Sequence, residues 1–105
     1  MQTVSFPYTE FIMKILRLPA VLDQTGYRSP ASIYKAIHDG TFPKQVRIGA
    51  RSVGWPDHDV SAINNARIAG STDAQLRQLV DAIHAERTEM GIHITKQLQA
   101  PAHRK

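Results

Sequence analysis

The chain has 105 residues, 42% of them apolar, with 13 Lys and Arg against 9 Asp and Glu and no cysteine. That length suits one small domain with a tail or an extra helix rather than two independent cores, and the apolar share excludes a wholly disordered chain. No apolar run is long enough to span a bilayer, and the absence of cysteine excludes a disulfide framework, thiol chemistry and Cys-ligated zinc.

Residues 1–12 show no clear period and carry neither the basic start nor the small-residue cleavage site of a secretory leader. They read as an extension, with Met13 available as an alternative translation start, and a cytoplasmic location is expected. Residues 15–18 alternate well enough for a short strand or an extended lead-in. Pro19 suits the first turn of a helix, Val21 and Leu22 give that helix an apolar face, and Gly26 is placed to end it in a left-handed conformation.

The next helix has clearer signals. Ser29 is a good N-cap, Pro30 a good first residue and Gly40 a good terminator. Ile33, Ala36 and Ile37 share one face, while Ala31, Ser32, Lys35 and His38 fall largely on others. An apolar back with a small, polar, basic front, just after a glycine turn, is the pattern of a recognition helix. Small residues let its backbone approach a major groove, and polar ones meet base edges or phosphates.

A hairpin follows. Gln45-Val46-Arg47-Ile48 alternates, Gly49-Ala50 suits a two-residue type II′ turn, and residues 51–55 return. This register predicts Val46, Ile48, Val53 and Trp55 pointing toward the helices, with Arg47 and Arg51 left for solvent or a phosphate. Pro56 then breaks the strand and Asp57 caps a third helix running to about residue 69. That helix sets Val60, Ile63 and the stem of Arg67 against the core, and Gly70 closes it. Ser71 or Thr72 caps a fourth helix through about residue 90, with Leu76, Leu79, Val80, Ile83 and Met90 in a stripe interrupted by Arg87. After Gly91 the pattern loses definition. The expected organisation is an extension (1–13), an α+β winged helix-turn-helix domain (14–70), an amphipathic helix (71–91) and a tail (92–105).

Charge singles out the middle of this layout. Between residues 28 and 51 lie Arg28, Lys35, Lys44, Arg47 and Arg51 against the single acid Asp39, while the other eight bases and eight acids cancel. A net charge concentrated on a candidate recognition module is the footprint of a phosphate-backbone partner, so double-stranded DNA is the expected ligand. An anionic membrane is the weaker reading, because the excess crosses a turn, a helix and a hairpin instead of lining one helix face. Singly, Arg28 and Lys35 could be solvated helix charges, and Arg47 and Arg51 could serve solubility. Trp55 reads as core. Tyr34 reads either as half-buried with its hydroxyl on a phosphate or as core.

The run 18–26 (Leu-Pro-Ala-Val-Leu-Asp-Gln-Thr-Gly), then Ser-Pro-Ala-Ser-Ile-Tyr-Lys-Ala-Ile, Gly-Thr-Phe-Pro-Lys-Gln-Val-Arg-Ile-Gly and Val-Gly-Trp resembles the AlpA family of prophage regulatory proteins. That family belongs to a wider MerR-like winged-helix group that includes phage excisionases. The resemblance covers residues 15–69 and implies a small transcriptional regulator of a prophage or integrated element. An architectural excisionase that bends attachment-site DNA is the alternative. Carried over by position, it implies DNA contacts at Arg28, Ser29, Ser32, Tyr34 and Lys35 and, from the wing, at Lys44, Arg47 and Arg51. The chain departs from the family at Pro30, where relatives often carry a basic or polar residue, and at Ile63, where many carry a second tryptophan.

Other chemistry finds little support. Asp57-His58-Asp59 could offer metal ligands, yet aspartates are common at a helix N-terminus for capping and dipole reasons, and the remaining histidines share no ligand spacing, so no metal is expected. No Ser, His and acid stand in a catalytic context and no Gly-rich phosphate loop precedes a helix, so neither an enzyme nor a cofactor or small-molecule substrate is expected. The stripe at 72–90 could dock on its own domain, pair two copies or serve as an adaptor surface. A homodimer would turn one short half-site into a spaced pair.

Overall fold

The structure is a computed structural model that describes residues 13–102. Residues 1–12 of the expected extension and 103–105 of the tail lie outside the described residues. In chain order the elements are β1 (Ile15–Leu16), α1 (Leu18–Thr25), α2 (Pro30–Asp39), β2 (Val46–Arg47), β3 (Val53–Pro56), α3 (Asp57–Ile68) and α4 (Asp73–Ala102). This is an α+β winged helix-turn-helix: α1 and α2 form the helix-turn-helix, and β2 and β3 form the wing. β1 adds a third strand that the wing shares, giving an antiparallel sheet in the order β1-β3-β2.

Local chemistry sets the element ends. Gly26, at φ 81°, closes α1 by donating to the Leu22 carbonyl. Gly40, at φ 84°, does the same for α2 at the carbonyls of Ala36 and Ile37. Both conformations are cheap only without a Cβ. The Ser29 hydroxyl accepts from the Ser32 N–H and so caps α2. At the start of α4, Thr72 and Gln75 exchange side-chain-to-backbone bonds, Gln75 N–H to Thr72 Oγ1 at 3.1 Å and Thr72 N–H to Gln75 Oε1 at 2.8 Å. That reciprocal pair is a capping box.

Val21, Ile33, Phe42, Trp55, Val60 and Ile63 are fully buried in a single core. The Trp55 indole N–H donates to the Pro43 carbonyl at 2.9 Å, which satisfies the one polar atom of the largest core side chain. α4 completes this core. Leu76, Val80 and Ile83 are only 1%, 2% and 6% exposed and join the same cluster.

Four sequence expectations change. The wing register is Val46 with Gly54 and Arg47 with Val53, and both the Ile48 and Gly49 amides donate to the Ser52 carbonyl. Residues 49–51 therefore form a three-residue connection, one longer than a two-residue turn. Trp55 and Val53 face the helices as expected, but Val46 and the exposed Ile48 lie on the opposite face, with Ile15, over Gly54. Second, Pro56 belongs to β3 and is the N-cap of α3, so it joins strand to helix instead of breaking the strand. Asp57 is the first helical residue. Its carboxylate accepts from the Lys14 N–H while its own N–H donates to the Lys14 carbonyl, which ties α3 to β1. Third, the Arg67 guanidinium reaches the Tyr27 hydroxyl at 2.7 Å and lies 5.6 Å from that ring's centre, so it rests on the helix-turn-helix turn instead of the deep core. Fourth, α4 does not stop near residue 90: it continues through Gly91 as one helix of 30 residues.

Candidate nucleic-acid interface

α2 buries Ile33 and Ala36 and turns Ala31, Tyr34, Lys35 and His38 outward, a stripe one helical turn apart along its free face. Arg28 stands exposed in the turn before it. With Tyr27, Ser32, Lys35 and Asp39, Arg28 lines a shallow open groove between the turn and α2. The structure thus brings Arg28, Ser32 and Lys35 onto one concave surface. Ser29 borders it, but its hydroxyl is occupied: it caps the Ser32 amide and stands 3.1 Å from the Ser32 Oγ. Ser29 is first of all the residue that ends the turn and starts the helix.

Lys35 forms an exposed ion pair with Asp39 at 3.1 Å. Such pairs contribute about 0–1 kcal/mol, so a phosphate or base edge can draw the ammonium away at small cost. Tyr34 is partly exposed and its ring lies 6.3 Å from that of Trp55. It is both a wall of the core and a part of the free surface. The face of the sheet that carries Trp55 also carries Val53 and, by register, Arg47. Arg47 therefore lies on the α2 side of the sheet. Lys44, Arg47 and Arg51 are all exposed.

Three side chains of α4 enter this neighbourhood, and only Arg87, the charge within the apolar stripe, carries a sequence signal. The Arg77 stem lies against Gly40, 3.3 Å from where a Cβ would stand, and its Nη1 is 3.5 Å from the Asp39 carbonyl. That places a further exposed cation beside the C-terminus of α2. His84 and Arg87 reach the segment between α2 and the wing. The Lys44 N–H donates to His84 Nε2 at 3.0 Å, and Arg87 Nη1 donates to the Lys44 carbonyl at 2.9 Å. Arg87 also binds Asp59 Oδ2 through Nε at 3.1 Å and Nη2 at 2.7 Å. The charge that interrupts the α4 stripe is therefore a link between α3, α4 and the root of the wing. Burial, the charges of Arg87 and Lys44, and opposing contributions from Asp81 and Asp59 leave the His84 imidazole below its ordinary value of 6.5. These partners lie 28 to 43 residues away in sequence, and no periodicity reports a pairing at that distance.

The carboxylates of Asp57 and Asp59 are engaged by the Lys14 amide and by Arg87, and no group of three His, Asp or Glu able to hold a metal occurs among the described residues. No helix among them is long and apolar enough to cross a membrane.

The model of the family "Prophage CP4-57 regulatory protein (AlpA)" matches residues 14–62. The chain is 41% identical over 54 residues to the DNA-binding transcriptional activator AlpA of Escherichia coli (strain K12), a match spanning 46% of this chain and 76% of that one. It is 40% identical over 57 residues to the uncharacterized protein ORF88 of Enterobacteria phage P4, spanning 54% of this chain and 64%, just under two thirds, of the phage protein. No solved structure matches the chain. The family match ends inside α3, so α4 lies wholly beyond it.

Proposed function

Because the chain belongs to the AlpA family of prophage regulatory proteins, we propose that it is a sequence-specific DNA-binding transcriptional regulator of a prophage or integrated element, working in the cytoplasm. α2 enters the major groove, where Arg28, Ser32 and Lys35 meet base edges and flanking phosphates, Tyr34 sits beside the backbone, and Ser29 holds the N-terminus of the helix in place. Lys44, Arg47 and Arg51 grip the adjacent backbone or minor groove from the wing. The observation that carries this reading is the set of exposed cations on the turn, α2 and the wing, with Asp39 the one acid in that stretch.

Lys35→Ala is expected to narrow the gap between specific and random sites, by roughly the 1–3 kcal/mol that a good base contact contributes. Arg51→Ala is expected to weaken all sequences alike and to lower the salt slope of log K by about 1. Fluorescence anisotropy on both site classes across a salt series separates these outcomes, and equal losses from both variants would contradict the division of roles. The target comes from sequencing fragments of source DNA recovered at physiological salt. Promoter enrichment supports a regulator, and a cooperatively filled attachment region would replace it with an excisionase.

Pairing of two copies belongs to the second half of α4. The Leu76–Ile83 part of the stripe is covered by its own domain, whereas Met90, Ile94 and Leu98 continue the same helix face and remain 44%, 49% and 71% exposed. Glu89 and Lys96 lie on the back of this segment, so two such faces can meet without opposing like charges.

A further inference from the structure

α2 and the wing meet DNA at different places, so their relative position has to be held. The chain between Asp39 and Val46 is the only covalent link between them and contains no regular structure. Its first part is fixed by burial: Thr41, Phe42 and Pro43 are buried, and Thr41 bonds back to the Ala36 carbonyl through both its N–H and its hydroxyl. Its exposed part begins at Lys44. There both backbone polar groups are taken by side chains of one helix, the N–H by His84 and the carbonyl by Arg87. Arg87 is in turn braced by Asp59 of α3, and these two side chains are 23% and 17% exposed. A backbone residue held at both ends by a distant helix, two positions before a strand only two residues long, has little freedom to swing.

We infer that His84 and Arg87 are positioning residues for DNA binding: through Lys44 they set the wing against α2, so that α4, which lies outside the family match, tunes how tightly the wing grips the DNA backbone. The inference rests on the DNA-binding reading above for its consequence, though not for its geometry. Accepting from the Lys44 N–H requires a free lone pair on His84 Nε2, which puts the neutral imidazole's proton on Nδ1. Protonating Nε2 turns the acceptor into a donor facing a donor. The groups around it are Arg87 and Asp81 on α4, Lys44 on the connection and Asp59 on α3. The two cations oppose a positive imidazole and the two carboxylates favour it. Since the folded value lies below 6.5, the unfolded chain takes the proton first: the clamp is complete at pH 6.5 and above, and it is lost as the pH falls through the lowered folded value.

The test is a double-mutant cycle on the full chain. His84→Ala is expected to weaken DNA binding about three- to tenfold, the range of one lost hydrogen bond. In a Lys44→Ala, Arg47→Ala, Arg51→Ala background, which keeps the clamped backbone groups of residue 44, the same change is expected to have no effect, because no wing grip remains to be positioned. His84→Gln, which offers an acceptor that does not titrate, is expected to recover most of the affinity and to lose the added weakening that the natural chain shows as the pH is lowered from 7. Loss of equal size in both backgrounds would overturn the inference, since His84 would then act on something other than the wing. Backbone ¹⁵N relaxation of residues 48–52 in the free protein needs no DNA. Mobility rising there in His84→Ala and returning to normal in His84→Gln supports the clamp even if the target is not DNA. Unchanged mobility would overturn it while leaving the DNA reading untouched.

Discussion

Gly54 sits in the middle of β3, and a Cβ built there would fall 2.6 Å from Ile15 Cγ2, 2.7 Å from the Leu16 carbonyl oxygen and 2.9 Å from Ile48 Cδ1. Two of these neighbours are ends of side chains that can turn aside. The carbonyl belongs to the strand paired with β3 and cannot move without opening that pairing. Gly54→Ala is therefore expected to destabilise by about 1–3 kcal/mol, the usual cost of forcing atoms into a packed site. For a domain of this size that lowers Tm by roughly 4–8 °C per kcal/mol. Gly49→Ala at the wing tip is the control, because a Cβ there meets nothing and Tm should hardly change. Thermal melts followed by circular dichroism decide it, and equal shifts for the two variants would show that the contact over β3 is unimportant. The same residue explains why alternation alone gave the wrong wing register. Val46 and Ile48 read as inward-facing apolar positions, yet they lie with Ile15 across a strand whose central residue has no side chain, and this small outer cluster competes with the core for them.

Element ends were the most legible part of the chain, because they depend on neighbours in sequence. Ser29, Gly26, Gly40 and Gly70 each mark a boundary by a local rule, and the structure uses each of them. Ser32 and Lys35 share a surface by helical spacing, whereas Arg28 stands in the turn before the extended Ser29 and reaches the same groove through the fold of that turn. Gly91 misled. In a helix interior glycine costs only about 1 kcal/mol relative to alanine, too little to end a helix that lacks a left-handed cap there, and the positive-φ glycines are Gly26, Gly40 and Gly70. Beyond the docked turns, Met90, Ile94 and Leu98 depend on something to cover them, because an isolated segment of this length is a marginal helix in water. If a second copy covers them, sedimentation of the full chain should show the mass doubling as concentration rises. Ile94→Glu should hold the chain at 11.7 kDa while leaving Tm nearly unchanged. A natural chain that remains single into the millimolar range would refute pairing through this face.

At the scale of the whole molecule, the buried core extends past residues 14–70, the stretch that the sequence pattern outlines as the domain. Leu76, Val80 and Ile83 are nearly as buried as Val60 and Ile63 of α3, the helix that α4 packs against, and fully burying an aliphatic side chain contributes roughly 1.5–3 kcal/mol. Three of them amount to roughly 5–9 kcal/mol, comparable with the whole net stability of a small domain, about 5–15 kcal/mol. Removing α4 also uncovers the apolar surface beneath it and releases Lys44 from His84 and Arg87. A fragment of residues 13–72 is thus expected to lose cooperative melting, although it contains all of the matched family region, both helices of the helix-turn-helix and the wing. A fragment of residues 13–90 keeps the docked turns and both clamp residues, and it should melt close to the full chain. If the shorter fragment instead melts at the same temperature as the longer one, α4 is an appendage and the core closes without it. The expected difference follows from size. A winged domain of this length has too little interior to be generous with stability, and here the chain meets that limit by laying a helix from outside the shared pattern along the face that the wing and α3 leave open.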